Sequence, residues 1–123
     1  MTDLRKEEVI HLQTEFSTAD AEYPTFSKEG GVLTVCYEDW QERQVEIQFG
    51  EVISFKWQEC ESYSPNERDD ACHEILHSMW LQEHLDQCIV TEREGHRHYR
   101  FNFNGNGQLE VICLGFVHSI RSR

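Results

Sequence analysis

The sequence predicts an α+β domain: a curved antiparallel sheet of about five or six strands, a meander plus a C-terminal hairpin, with one main helix packed on it. Three observations carry that expectation. Residues 96–104 alternate without a fault, with Arg97, Tyr99, Phe101 and Phe103 on one face and His96, His98, Arg100, Asn102 and Asn104 on the other, which is the period of a half-buried strand. Residues 32–57 repeat such alternation in three short runs. Apolar residues between Ala71 and Gln87 recur instead at helical spacing.

In chain order, residues 3–16 fit either a helix capped by Asp3, with Val9, Leu12 and Phe16 on one stripe, or a strand. The helix-favouring run Leu4 to Glu8 tips the reading to helix. Ser17 to Gly31, with Pro24, Gly30 and Gly31, reads as a connection. Leu33, Val35 and Tyr37 alternate with Thr34, Cys36 and Glu38; after a polar reversal, Val45, Ile47 and Phe49 alternate on the return. Gly50 ends that strand, and Ile53, Phe55 and Trp57 share a face in the third, so the spacing predicts a three-stranded meander. Residues 58–70 are polar and acidic, hence a surface loop, with Asp69 or Asp70 as the cap of a helix carrying Ile75, Leu76, Met79, Trp80 and Leu85. After Phe103, Gly105 and Gly107 allow a tight reversal into Leu109, Val111 and Cys113. The last residues, 121–123, read as a frayed end. On this register Phe101 and Phe103 belong to the core, while Asn102 lies on the polar face and its loss costs little.

A length of 123 residues suits a single domain, 1–123, and 14 Phe, Tyr and Trp residues argue for a folded core despite the charge. Twenty-three acids against 11 bases give a net charge of −12, a potential that repels nucleic acid and anionic lipid and attracts basic surfaces. Charges occupy the N-terminal region where a secretory signal places its apolar stretch, and no apolar run is long enough to span a bilayer. The expectation is a cytoplasmic protein. Its five cysteines, an odd number without Cys-x-x-Cys spacing, read as free thiols, with Cys36 and Cys113 buried in strands.

Two histidine groupings are candidate metal sites. His73-Glu74-Ile75-Leu76-His77 fits H-E-x-x-H, which on a helix aims two imidazoles at one zinc while the glutamate polarises its water. No suitably placed third ligand follows: His84 lies further round the helix. His96 and His98, at alternate strand positions with Arg100 beyond, form the second pair, able to share a metal or to grip an anion. Neither makes a cofactor necessary; zinc belongs to an alternative reading as a hydrolase using His73, Glu74 and His77.

The segments Leu33 to Trp40, Val45 to Val52, His98 to Phe103 and Leu109 to Cys113 resemble small bacterial β-rich families, some of them immunity proteins of polymorphic toxin systems. The resemblance implies a cytoplasmic, non-enzymatic binding protein and brings no catalytic residue with it. Independently, Glu59, Glu61, Glu67, Asp69 and Asp70 form a single-sign cluster relieved only by Arg68, and a basic protein surface such as that of a toxin would complement it.

Overall fold

The computed structural model describes residues 6–59 and 62–122. Among the described residues, nine strands form two antiparallel sheets: β1 (Glu8–His11), β2 (Thr25–Glu29), β3 (Val32–Glu38), β4 (Gln44–Gly50), β5 (Ser54–Gln58), β6 (Cys72–Leu76), β7 (Arg97–Phe103), β8 (Gly107–Cys113) and β9 (Gly115–Arg121). The order is β1-β6-β7-β8-β5 in one sheet and β2-β3-β4-β9 in the other. A single α-helix, α1 (Met79–Asp86), is found among the described residues. None of these is a helix long and apolar enough to cross a membrane.

The α+β class stands, but there are two sheets where one curved sheet was expected. Their inner faces share one core. From the five-stranded sheet come Cys72, Tyr99, Phe101, Phe103, Leu109, Val111 and Cys113, and from the other Leu33, Val35, Tyr37, Val45, Ile47 and Phe49. Phe101 meets Phe49 and Phe116 at centroid distances of 5.2 and 5.3 Å, the spacing of tilted and edge-on aromatic pairs.

The meander breaks at Gly50. Glu51 takes a left-handed φ of 51°, Val52 N–H bonds back to Gly31 O at 2.8 Å, and Ile53 N–H reaches Ile112 O at 2.9 Å. The chain thus leaves the β3-β4 sheet, and β5 pairs with β8, Phe55 opposite Val111 and Trp57 opposite Leu109. The C-terminal run likewise splits at Leu114. Its first half, β8, pairs with β7 and its second, β9, pairs with β4 in the other sheet, so Arg121 ends a strand rather than fraying. At the other end of β8, by the hairpin from β7, Gly107 leaves room for Trp57: a Cβ there would stand 2.5 Å from the indole ring.

Three local expectations are also corrected. Residues 8–11 form β1, because pairing with β6 from Glu8↔Leu76 to His11↔His73 satisfies the backbone of this short segment. The stretch read as a connection contains β2, paired with β3 from Thr25↔Cys36 to Glu29↔Val32. The helix is shorter than expected: Cys72–Leu76 is strand β6, held on both sides by β1 and β7, and Met79, placed on the core stripe, is 70% exposed. The proposed cap Asp3 lies outside the described residues.

Candidate functional site

The outer face of the five-stranded sheet carries the most unusual chemistry in the molecule. On β7 and β8 the residues opposite the core, His98, Asn102, Gln108 and Glu110, are themselves buried. The acidic loop and α1 cover them. Register places Arg100 across from Glu110 and Asn102 across from Gln108, so opposite charges and matched amides meet.

Glu110 accepts from His98 Nε2 at 2.8 Å and from Arg100 Nε at 2.9 Å, and Lys56 Nζ stands 3.5 Å from its other oxygen. Burial pushes the Glu110 carboxyl up, but the hydrogen bond from His98 and the charge of Arg100 outweigh it and hold it at about 2, well below the usual carboxylate range. Arg100 also donates to Glu67 at 3.0 Å. Burial opposes its charge, yet the two carboxylates raise its pKa.

Glu67 is the surprise of the acidic cluster. Its side chain is 1% exposed and accepts from Arg100, from Asn102 Nδ2 at 2.8 Å and from Gln108 Nε2 at 3.1 Å. It is not a surface charge, because two amides and a guanidinium buried on the sheet need an acceptor. Asn102 further donates to the Arg68 carbonyl at 2.7 Å, which overturns the expectation that its loss costs little. Asp70 is ion-paired with Arg68 at 3.1 Å. Glu59 and Asp69 are exposed, and Glu61 lies outside the described residues.

A chain of hydrogen bonds joins the start of α1 to this layer. His98 Nδ1 lies 2.6 Å from Ser78 Oγ, and Ser78, the N-cap of α1, accepts from Leu81 N–H at 3.0 Å. Since His98 Nε2–H donates to Glu110, its Nδ1 accepts from the Ser78 hydroxyl. Serine, histidine and carboxylate follow one another as in a nucleophilic relay. The serine is nevertheless buried, and its oxygen is engaged by the helix cap on one side and by the imidazole on the other. The arrangement ties helix to sheet. Trp80 packs edge-on against His98 at 5.2 Å with Lys56 over its ring at 4.4 Å, and His84, whose Nδ1–H donates to Trp80 O, receives the Ser54 hydroxyl at 2.7 Å.

The helix that H-E-x-x-H was expected to ride on is not formed: His73 and Glu74 lie on strand β6 and point to opposite faces, and His77 follows it in a left-handed turn with φ 57°. His73 Nε2 accepts from Arg68 N–H at 3.1 Å. The His96/His98 pair does not converge on a metal either, since both nitrogens of His98 are occupied by Ser78 and Glu110. His96, with both ring nitrogens buried and unpartnered among the described residues, lines an open groove of about 780 Å³ beside α1, together with Glu7 and Arg97. Among the described residues no three His, Cys, Asp or Glu are grouped to hold a metal.

Fold and site together define an acidic, two-sheet α+β domain whose buried charges are matched internally. No family model matches the chain, and comparison with curated proteins and with solved structures finds no match.

Proposed function

We propose that the chain is a non-enzymatic, cytoplasmic binding protein for a basic protein surface, such as an immunity protein that neutralises a toxin. The observation that carries this reading is where the charge lies. The buried carboxylates Asp39, Glu67 and Glu110 are matched in charge by Arg43, Arg100 and Lys56, so the net −12 is borne by the surface. The C-terminal part of the acidic loop is also held in place: Glu67 and the Arg68 backbone fasten it to the sheet, so that Asp69 and Asp70 follow directly on an anchored segment. Anchoring lowers the ordering cost of binding, and the single-sign field speeds encounter with a cation-rich partner.

A basic nuclease domain serves as the probe, with association followed by biolayer interferometry. The association rate should fall as salt shortens the Debye length from about 10 Å at 0.1 M to about 3 Å at 1 M. Asp69→Lys with Asp70→Lys should slow association while leaving the melting temperature nearly unchanged. Association indifferent to both salt and charge reversal counts against the reading.

A further inference from the structure

We propose that the free edge of β9 accepts an extended, cationic segment of the partner as an added antiparallel strand. The inference rests on the reading that the partner is a basic protein, and it names how that partner is held.

The backbone register identifies the available groups. Asp39 N–H donates to Arg43 O at 2.9 Å across the turn, and Asp39 and Arg43 continue the β3-β4 register, so the odd-numbered residues of β4 bond β3 and the even-numbered ones face β9. Gln44, Glu46, Gln48 and Gly50 therefore engage Arg121, Ser119, Val117 and Gly115. That leaves the N–H and C=O of Phe116, His118 and Ile120 directed away from β4. β9 ends the order of its sheet, and no hydrogen bond to those backbone groups is made by other described residues.

An unpaired edge is a template for another strand unless something blunts it, by brevity, charge, proline or cover. The other edges have such protection. β1 is four residues long and begins with Glu8, β2 carries Lys28 and Glu29, and β5 is five residues long with Lys56 at its centre. β9 is seven residues long with no acid, and its one permanent cation is terminal. Val117 is 65% exposed on its outer face and Leu114 just precedes it. Charge selects the occupant. A second copy brings another −12, whereas a lysine-rich strand meets Glu46, opposite Ser119, and Glu15, 3.5 Å from His118.

Edge pairing is separable from side-chain effects at His118, whose N–H points outward. Proline there removes an edge donor without costing a bond to β4, and His118→Ala controls for the lost imidazole. The probes are a peptide alternating Lys and Val, the same peptide N-methylated at alternate residues, and a Glu/Val analogue, with melting temperatures confirming that each variant is folded. The Lys/Val peptide should slow hydrogen exchange at the Phe116, His118 and Ile120 amides in the wild type. It should bind His118→Ala about tenfold or more tightly than His118→Pro, the equivalent of one or two net hydrogen bonds. The methylated and acidic peptides should bind weakly. Salt-sensitive binding of basic probes with unprotected edge amides and an indifferent His118→Pro would overturn the edge while leaving the basic-partner reading intact. Failure of every basic probe would remove both. A β9-to-β9 dimer in sedimentation, with edge amides protected in the absence of peptide, would overturn the choice of occupant.

Discussion

The outer faces of the two sheets are built from similar alphabets and end in opposite environments. On the four-stranded sheet, Thr34, Cys36 and Glu38 of β3 and Gln44, Glu46 and Gln48 of β4 alternate with core residues and remain half-buried or exposed. On the five-stranded sheet, His98 and Asn102 of β7 and Gln108 and Glu110 of β8 also alternate with core residues, yet all four are buried. The difference lies in complementarity. The buried face pairs Arg100 with Glu110 and Glu67, His98 with Ser78, and Asn102 with Gln108, so its polar groups exchange water for one another. The solvated face offers acids and amides without enough partners of opposite sign. Alternation decides which residues face the core; internal matching decides whether the opposite face can afford to be covered.

The largest test of that contrast removes the hub of the buried face. Glu110→Ala leaves Arg100, Lys56 and His98 without their shared acceptor and should destabilise the fold by about 3–5 kcal/mol, the cost of breaking a buried ion pair from one side. Phe101→Ala and Phe103→Ala should each cost a similar ~3–5 kcal/mol through the cavity left behind. Urea unfolding compares the three. A Glu110→Ala cost near zero would mean that water reaches the layer and that the two faces do not differ in kind.

Asn102→Ala is next in size. Deleting the side chain leaves Glu67 and the Arg68 carbonyl each short of a donor, for an expected loss of about 1–3 kcal/mol. Faster exchange of the Arg68 and Ala71 amides would show that the acidic loop loosens with it.

Acid should distinguish the faces as well. Glu110 titrates near 2 when folded but at about 4.3 when unfolded, so the unfolded chain takes up the proton first. The stability that Glu110 contributes is present above about 4.3 and drains away as pH falls towards 2. His73, lowered chiefly by burial, adds a loss that begins as pH drops through the usual histidine value of about 6.5. Glu110→Gln should flatten the stability curve in the lower interval and leave the upper one unchanged.

Much of this architecture was legible because alternation is local. The core positions of β3, β4, β7 and β8 follow from spacing alone. Sheet membership does not: the break at Gly50 looks like a hairpin turn, and only the bonds from Val52 to Gly31 and from Ile53 to Ile112 reveal a crossing between sheets. The stretch 72–76 has apolar spacing compatible with a helix, and pairing on both flanks overrides it. The covering of the polar face left a fainter signal. Arg100 and Glu110 carry opposite charges two residues either side of the hairpin's matched Asn102 and Gln108, and Ile112 is an apolar residue on the supposedly wet face. A buried role for Glu67 had no local sign, because its partners lie 33 to 41 residues further along the chain.

The smallest expected effect is on the solvated face, where it can still be read chemically. Glu46 sits opposite Cys36 on β3 and Ser119 on β9. Cys36, expected from its strand pattern to be buried, is only partly covered because it points to this outer face. Its thiol pKa is raised first by the burial it has, then by the negative charge of Glu46, while Arg121 pulls it down. Glu46→Gln should therefore change stability by less than about 0.5 kcal/mol, as exposed-face substitutions do. It should nevertheless speed the reaction of Cys36 with a thiol reagent near neutral pH, because a larger fraction becomes thiolate. Arg121→Gln should slow that reaction. Cys113, with its thiol pushed up to about 12, and Cys72 should label only on unfolding, whereas exposed Cys88 labels freely. If Glu46→Gln proved as costly as Glu110→Ala, or left the Cys36 rate unchanged, the four-stranded sheet would have a matched polar layer of its own and the contrast between the faces would fail.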